Sequence, residues 1–221
     1  MLGGPSADVL VVPARTSGDQ KDESGITVFL VEASADGISK RDYPTIDGFQ
    51  ASEINLDLVS VAASAVLGEV DKGLGLLELG INSGILAVGA EAVGAMEVLY
   101  KTTVEYCKTR EQFGQPIGKF QVLQHRMVDM FMEHEQAKSL LYMAALRMSE
   151  GDEVEALKAV SALKVQIGKG GRFVGQNAIQ LHGGMGMTDE LNVGHYFKRL
   201  TAIETLFGNV DHHLKKYSLV A

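Results

Sequence analysis

Tryptophan is absent from the 221 residues, cysteine occurs once, proline four times, and aromatics make up only 6%. A lone Cys107 excludes an internal disulfide and any zinc or iron–sulfur centre built on several thiolates; a reducing, cytoplasmic compartment is the simple expectation. Basic residues are also scarce, 20 against 28 acidic for a net charge of −8, so no broad attraction to phosphate backbones or anionic membranes is expected. No unbroken run reaches the ~18 apolar residues of a membrane span. The stretch Met1 to Ala14 lacks the basic start and apolar centre of a signal peptide. The chain is therefore expected to be neither secreted nor embedded, with no nucleic-acid or membrane partner. What is present, 46% apolar and 22% charged residues, fits one ordinary core or two small ones.

Charge changes along the chain. Residues 1–68 carry 10 acidic and 4 basic side chains, and residues 69–221 carry 18 and 16, which places a candidate domain boundary near Gly68. Before it, β-rich runs at Val9–Pro13, Ile26–Glu32 and Ile54–Leu58 alternate with Gly, Asp, Ser and Pro stretches, which predicts a small antiparallel sheet or partial barrel. The strict alternation in Ile54–Leu58 predicts one buried and one wet face. After Gly73 the apolar period moves to near 3.6. Leu123, Met127, Met130, His134, Ala137, Leu141, Ala144 and Met148 form the seam of a bundle helix ending at Ser149–Gly151. Asp152 with Glu155 resembles a capping box opening the next helix, Val154 to about Ile179. Gly168, Gly170, Gly171 and Gly175 interrupt that helix, and close helix–helix contact is the default reason.

Most candidate motifs fail on chemistry. His182-Gly-Gly-Met-Gly-Met187 lacks the lysine and spacing of a P-loop and follows a helix, not a strand, so it is no Walker or Rossmann loop. It also evokes an esterase oxyanion loop, but no Gly-x-Ser-x-Gly elbow exists to supply a nucleophile. A glycine helix terminator with a surface loop is the plain reading. His195, His212 and His213 are too few and too poorly spaced for a metal and read as exposed, so no metal is expected. His134 reads as a core histidine bonded to a backbone or hydroxyl group. Met127, Met130, Met132, Met143 and Met148 read as core filler, and Lys215 and Lys216 as a solvated helix end.

The segment Tyr106–Gln121 combines a cation, amides, an aromatic ring and a proline-braced turn. Arg110 suits bidentate pairing with a pyrophosphate, Phe113 suits packing on an aromatic cofactor ring, and Gln112 and Gln121 suit its polar edges. An ordinary interhelical loop fits the same residues, since arginine commonly caps helix C-termini, and on these residues alone it is the favoured reading.

Thr109-Arg-Glu-Gln-Phe-Gly114, Pro116-Ile117, Phe120-Gln121 and Gln180-Leu-His-Gly-Gly-Met-Gly186 together resemble the C-terminal part of acyl-CoA dehydrogenases. Ala7–Thr16, the run around Ile26–Glu32 and the stretch to Leu67-Gly68 resemble that family's middle β-domain, so the likeness covers nearly the whole chain. It implies an α+β fold in separate parts: a partial antiparallel β-domain over 1–68 and a four-helix bundle over 69–221 that binds FAD and oligomerises. Family members begin with a helical domain and early strands that are missing here, so a truncated product, fragment or short member is expected. The implied partners are an acyl-CoA substrate, an electron-acceptor protein, and either further copies as a dimer or tetramer or a full-length dehydrogenase subunit.

Position by position, the resemblance assigns FAD contacts to Arg110, Gln112, Phe113, Gln121, Gln180, Gly183, Gly184 and Asn209, and a substrate contact to Gly208. It also implies that the Arg110 bend and the Gln180–Gly184 loop meet across touching protomers. The family's glutamate base, which removes the α-proton while hydride leaves the β-carbon, falls at Phe207, and a second base position falls near Gly84. Neither residue accepts a proton. Three explanations follow: a member that works with a complete partner subunit, a substitute carboxylate with Asp211 as first candidate one turn beyond Phe207, or a binding or assembly subunit without redox activity. Asp211 as a solvated structural residue is the simpler reading of that side chain.

Overall fold

The computed structural model describes residues 1–220. The chain divides into two compact units, Met1–Ile81 and the residues from Asn82 onward. In the first, β1 (Val9–Arg15) pairs antiparallel with β2 (Ile26–Glu32), and β5 (Val66–Leu67) adds to the other edge of β2. A second two-stranded sheet joins β3 (Ile38–Pro44) to β4 (Gln50–Leu56). Leu10 and its cross-strand partner Val31 are buried on one face of the larger sheet, and Val28 is buried on the other.

Two expectations change here. The alternating run ends early: Leu56 closes β4, while Leu58 lies outside it at φ 52 and 96% exposed, and the buried positions of β4 are Ala51 and Ser52. β3 was not expected, because Ser39, Lys40, Arg41 and Asp42 carry no apolar alternation. Its pairing with β4, from Ile38 with Leu56 to Pro44 with Gln50, is what makes it a strand.

The division between units falls inside α1 (Gly73–Thr109), where the start of the helix still belongs with the first sheet. A Cβ on Gly73 would lie 2.8 Å from Val28 Cγ2. α1 also holds an 18-residue window of mean hydropathy 1.4, long and apolar enough by those two measures to cross a membrane. A search for unbroken apolar runs misses it because glycines, alanines and a glutamate interrupt the leucines and isoleucines. Ile85, Val93, Met96 and Leu99 of this helix are core residues of the second unit.

In that unit, α2 (Gln121–Glu150) buries the expected seam: Met130, His134, Ala137 and Ala144 are buried, and Leu123, Met127, Leu141 and Met148 pack beside them. Met132 and Met143 face outward, at 49% and 39% exposure, because both lie off the seam. Gly151 at φ 80 stops the helix. Asp152 then caps α3 (Glu153–His182), its Oδ1 accepting from the amides of Val154 and Glu155.

α3 packs against α2, α4 (Val193–Thr205) and α5 (Val210–Val220), and its glycines are where those neighbours come closest. A Cβ would fall 2.6 Å from Val210 Cγ2 at Gly168, 2.9 Å from Glu133 Oε2 at Gly170 and 2.8 Å from Phe197 Cδ2 at Gly175. Close packing offsets the helix-propensity loss of ~1 kcal/mol per glycine.

His134 departs from its expected partner. It is buried at the α1–α2 contact beside Tyr100, with Nδ1 3.1 Å from Glu135 Oε1 and no hydrogen bond of proper geometry at either nitrogen, and burial lowers its pKa.

Candidate functional site

α1 runs directly into a tight hairpin. The Arg110 amide still bonds Tyr106 O at 2.8 Å, and Ile117 N bonds Arg110 O at 2.8 Å. Between them β6 (Glu111–Gln112) pairs with β7 (Gln115–Pro116) across a two-residue tip. Both tip residues have positive φ, 55 at Phe113 and 79 at Gly114, the requirement of a primed hairpin turn. Phenylalanine there is a strained choice, and its ring stands 91% exposed, touched edge-on by Phe120. Arg110 is exposed, and among the described residues its guanidinium makes no ion pair or hydrogen bond.

The second stretch is the end of α3. Gly183, at φ 59 and ψ −136, terminates the helix, and Gly183–Met187 continue as a 3₁₀ turn. His182 is buried; its Nδ1 lies 2.8 Å from Ala178 O, and its ring stacks on Tyr106 with centroids 4.3 Å apart. Burial lowers the pKa of this imidazole, so it stays neutral and donates from Nδ1. The stack ties the glycine loop to the last turn of α1. Nothing in residue spacing marks Tyr106 and His182 as partners 76 positions apart; their presence in the two motifs was the only signal.

Together the two stretches enclose a cleft of about 390 Å³ lined by Arg110, Gln112, Gln180, Gly183 and Gly184, with Tyr106 and His182 behind them. They meet inside one chain, not across protomers as expected, because the Tyr106–His182 stack holds them side by side. Phe113 and Gln121 are not part of the lining. Phe113 sits at the hairpin tip, and Gln121 is the exposed first residue of α2.

Gly208 and Asn209 belong to a different place, the turn between α4 and α5. Asn209 Oδ1 accepts from His212 N and caps α5, and Gly208 takes φ 102 with no room for a side chain against His212 and His213. Phe207 has φ 58, and its Cζ lies 2.7 Å from where a Cβ on Gly84 of α1 would stand. His213 is buried rather than exposed; its Nε2 is 3.0 Å from Phe207 O, and desolvation pulls its pKa down to about 4. Lys164 of α3 is fully buried and donates to Ile203 O at 3.0 Å and Glu204 O at 2.9 Å, with burial lowering its pKa to about 8. Asp211 is exposed in the first turn of α5. It does not stand one helical turn beyond Phe207, because residues 206–209 form a turn outside both helices. No cluster of three His, Cys, Asp or Glu able to hold a metal exists among the described residues.

A strand-rich part, a bundle built around one glycine-notched helix, and an arginine hairpin beside a glycine loop make an α+β protein. The chain belongs to the acyl-CoA dehydrogenase family: the model of the acyl-CoA dehydrogenase C-terminal domain matches residues 71–216. It is 34% identical to the short-chain-specific acyl-CoA dehydrogenase of Megasphaera elsdenii over 90% of this chain and 52% of that protein. The structure of PigA with FAD and proline superimposes with a TM-score of 0.91 at 26% identity, covering 99% of this chain and 57% of that one. The ChsE4–ChsE5 complex of Mycobacterium tuberculosis gives 0.86 at 28% identity, covering 98% and 56%. The chain thus spans about half the length of the relatives it matches.

Proposed function

We propose that this chain is the C-terminal part of an FAD-dependent acyl-CoA dehydrogenase polypeptide that lacks the usual glutamate base and works with a partner subunit carrying a complete site. One observation carries the cofactor reading: the exposed Arg110 cation and the Gly183–Gly184 loop converge on a single cleft. The residues fit a diphosphate. At Gly184 a Cβ would meet nothing within 4 Å, so the chain's own packing does not require glycine there, whereas a group approaching the backbone from outside does. Arg110 pairs with the diphosphate charge, and the Gln112 and Gln180 amides supply hydrogen bonds to polar edges.

When bound, FAD supplies the hydride acceptor for α,β-dehydrogenation of an acyl-CoA thioester. The position aligned with the family base holds Phe207, whose ring accepts no proton, and the second such position holds Gly84. The base therefore comes from the partner. A complex of two different chains, as in ChsE4–ChsE5, is the precedent among the structural neighbours.

Replacing Arg110 by alanine removes a charge-assisted contact of roughly 1.5–3 kcal/mol, a ten- to hundredfold loss of FAD affinity. Equilibrium dialysis of the flavin measures it, and unchanged affinity removes the assigned role. Phe207 also supports a second reading, an assembly subunit without redox activity. Co-expression with a full-length dehydrogenase subunit separates the two: a yellow complex that reduces an acceptor with acyl-CoA supports the first, and a colourless, inactive complex the second.

A further inference from the structure

The turn at residues 206–209 is held far more firmly than a connection between two helices needs. Phe207 adopts a left-handed conformation that a bulky residue avoids, and such strain persists only where surrounding contacts over-determine it. Those contacts come from three helices. Lys164 of α3 draws in the last carbonyls of α4, and His213 of α5 donates to Phe207 O. The absence of a side chain at Gly84 of α1 leaves the space that the phenyl ring fills. Farther along the same face of α3, Gly168 admits Val210, and Arg172 lies 3.5 Å from the Glu204 carboxylate. Two buried polar side chains and a missing Cβ thus serve one outcome, the placement of a ring that is itself 42% exposed.

We propose that Phe207 is a fixed stopper, with Lys164 and His213 as its positioning residues, which fills the groove over Gly84 and denies that point to an acyl chain. The inference rests on the acyl-CoA reading above and adds to it the reason this chain takes no substrate of its own there. The stopper is a specificity determinant: exclusion comes from the apolar bulk of the ring, and the clamp keeps the ring from swinging aside.

The test uses the full FAD-loaded chain with octanoyl-coenzyme A and unacylated coenzyme A as probes, by calorimetry. In Phe207→Ala, octanoyl-coenzyme A binds roughly tenfold or more tighter than in the parent, through methylenes buried over Gly84, and unacylated coenzyme A binds the two forms alike. Equal octanoyl-coenzyme A affinity in both forms, or binding to neither, overturns the stopper. The cofactor reading is scored separately by the Arg110 dependence of FAD retention in the same preparations. Positioning is read from the Phe207 ring resonances in phenylalanine-labelled protein, assigned with Phe207→Leu. These shift toward the free-peptide value in Lys164→Ala and His213→Phe, stay in place in His213→Gln, and stay in place in Leu99→Ala, a core variant without contact to the turn. Resonances unmoved by Lys164→Ala and His213→Phe, or moved equally by Leu99→Ala, overturn the positioning roles.

Discussion

Two cations of the helical bundle are treated in opposite ways. Arg110 stands exposed just past the end of α1 with no partner among the described residues, beside glycines that the chain's own packing leaves uncovered. Lys164 is fully buried with two backbone carbonyls on its ammonium, in a region where Gly84, Gly168 and Gly208 are all filled by neighbouring side chains. The cleft around Arg110 is left open by the chain's own packing, as the proposed cofactor site requires. The surroundings of Lys164 are complete. A cation's surroundings therefore separate a binding site from a structural clamp, which its residue type alone does not do.

The largest effect expected from breaking this contrast is Lys164→Ala. Truncation leaves a cavity and removes the side-chain partner from one buried and one partly buried carbonyl, a combined cost of about 3–5 kcal/mol. Urea unfolding measures it. Arg110→Ala, by contrast, leaves stability within about 0.5 kcal/mol, since an exposed side chain without contacts supports nothing in the fold. If the two variants lose similar stability, the division into clamp and binding site fails.

A smaller effect comes from acid. His213 is neutral in the fold with its pKa lowered to about 4, while the unfolded chain takes up that proton near the usual 6.5. The unfolded state then binds more protons below pH 6.5, so stability is full above that value and falls as pH drops toward 4, by about 3 kcal/mol from this residue over the whole window. His134 and His182, both shifted downward by burial, act in the same direction. His213→Gln keeps a donor for Phe207 O and removes the titration, so its stability declines less steeply between pH 6.5 and 4. Parallel pH profiles for the two proteins would show that the buried imidazole plays no part in acid sensitivity.

Periodicity made the bundle legible. The seam on α2, the Asp152 cap, the stop at Gly151 and the close contacts at the α3 glycines are all local consequences of spacing and turn chemistry. β3 was hidden because its pairing with β4, rather than its own residues, makes it a strand. The site divides in the same way. Arg110, Gln112, Gln180, Gly183 and Gly184 lie on two short motifs and line one cleft, whereas Tyr106–His182 and Lys164–Glu204 are long-range contacts that no spacing rule reaches. His213 was misplaced for a related reason: two adjacent histidines at a helix start look equivalent in sequence, yet the helix turns His212 outward and His213 toward the carbonyl of Phe207.

The smallest effect concerns Asp211, the first carboxylate after Phe207, the residue proposed to occupy the family's base position. It is exposed in the first turn of α5, where a negative charge interacts favourably with the helix N-terminus but touches nothing that the turn at Phe207 depends on. Asp211→Asn is expected to change stability by no more than about 0.5 kcal/mol and to leave flavin retention unaltered. In a complex already shown to oxidise acyl-CoA, turnover of the variant equals that of the parent across the pH profile. A drop in kcat without a change in KM would assign proton removal to this chain after all, and with it would go the contrast between a cleft that binds and a turn that only fills space.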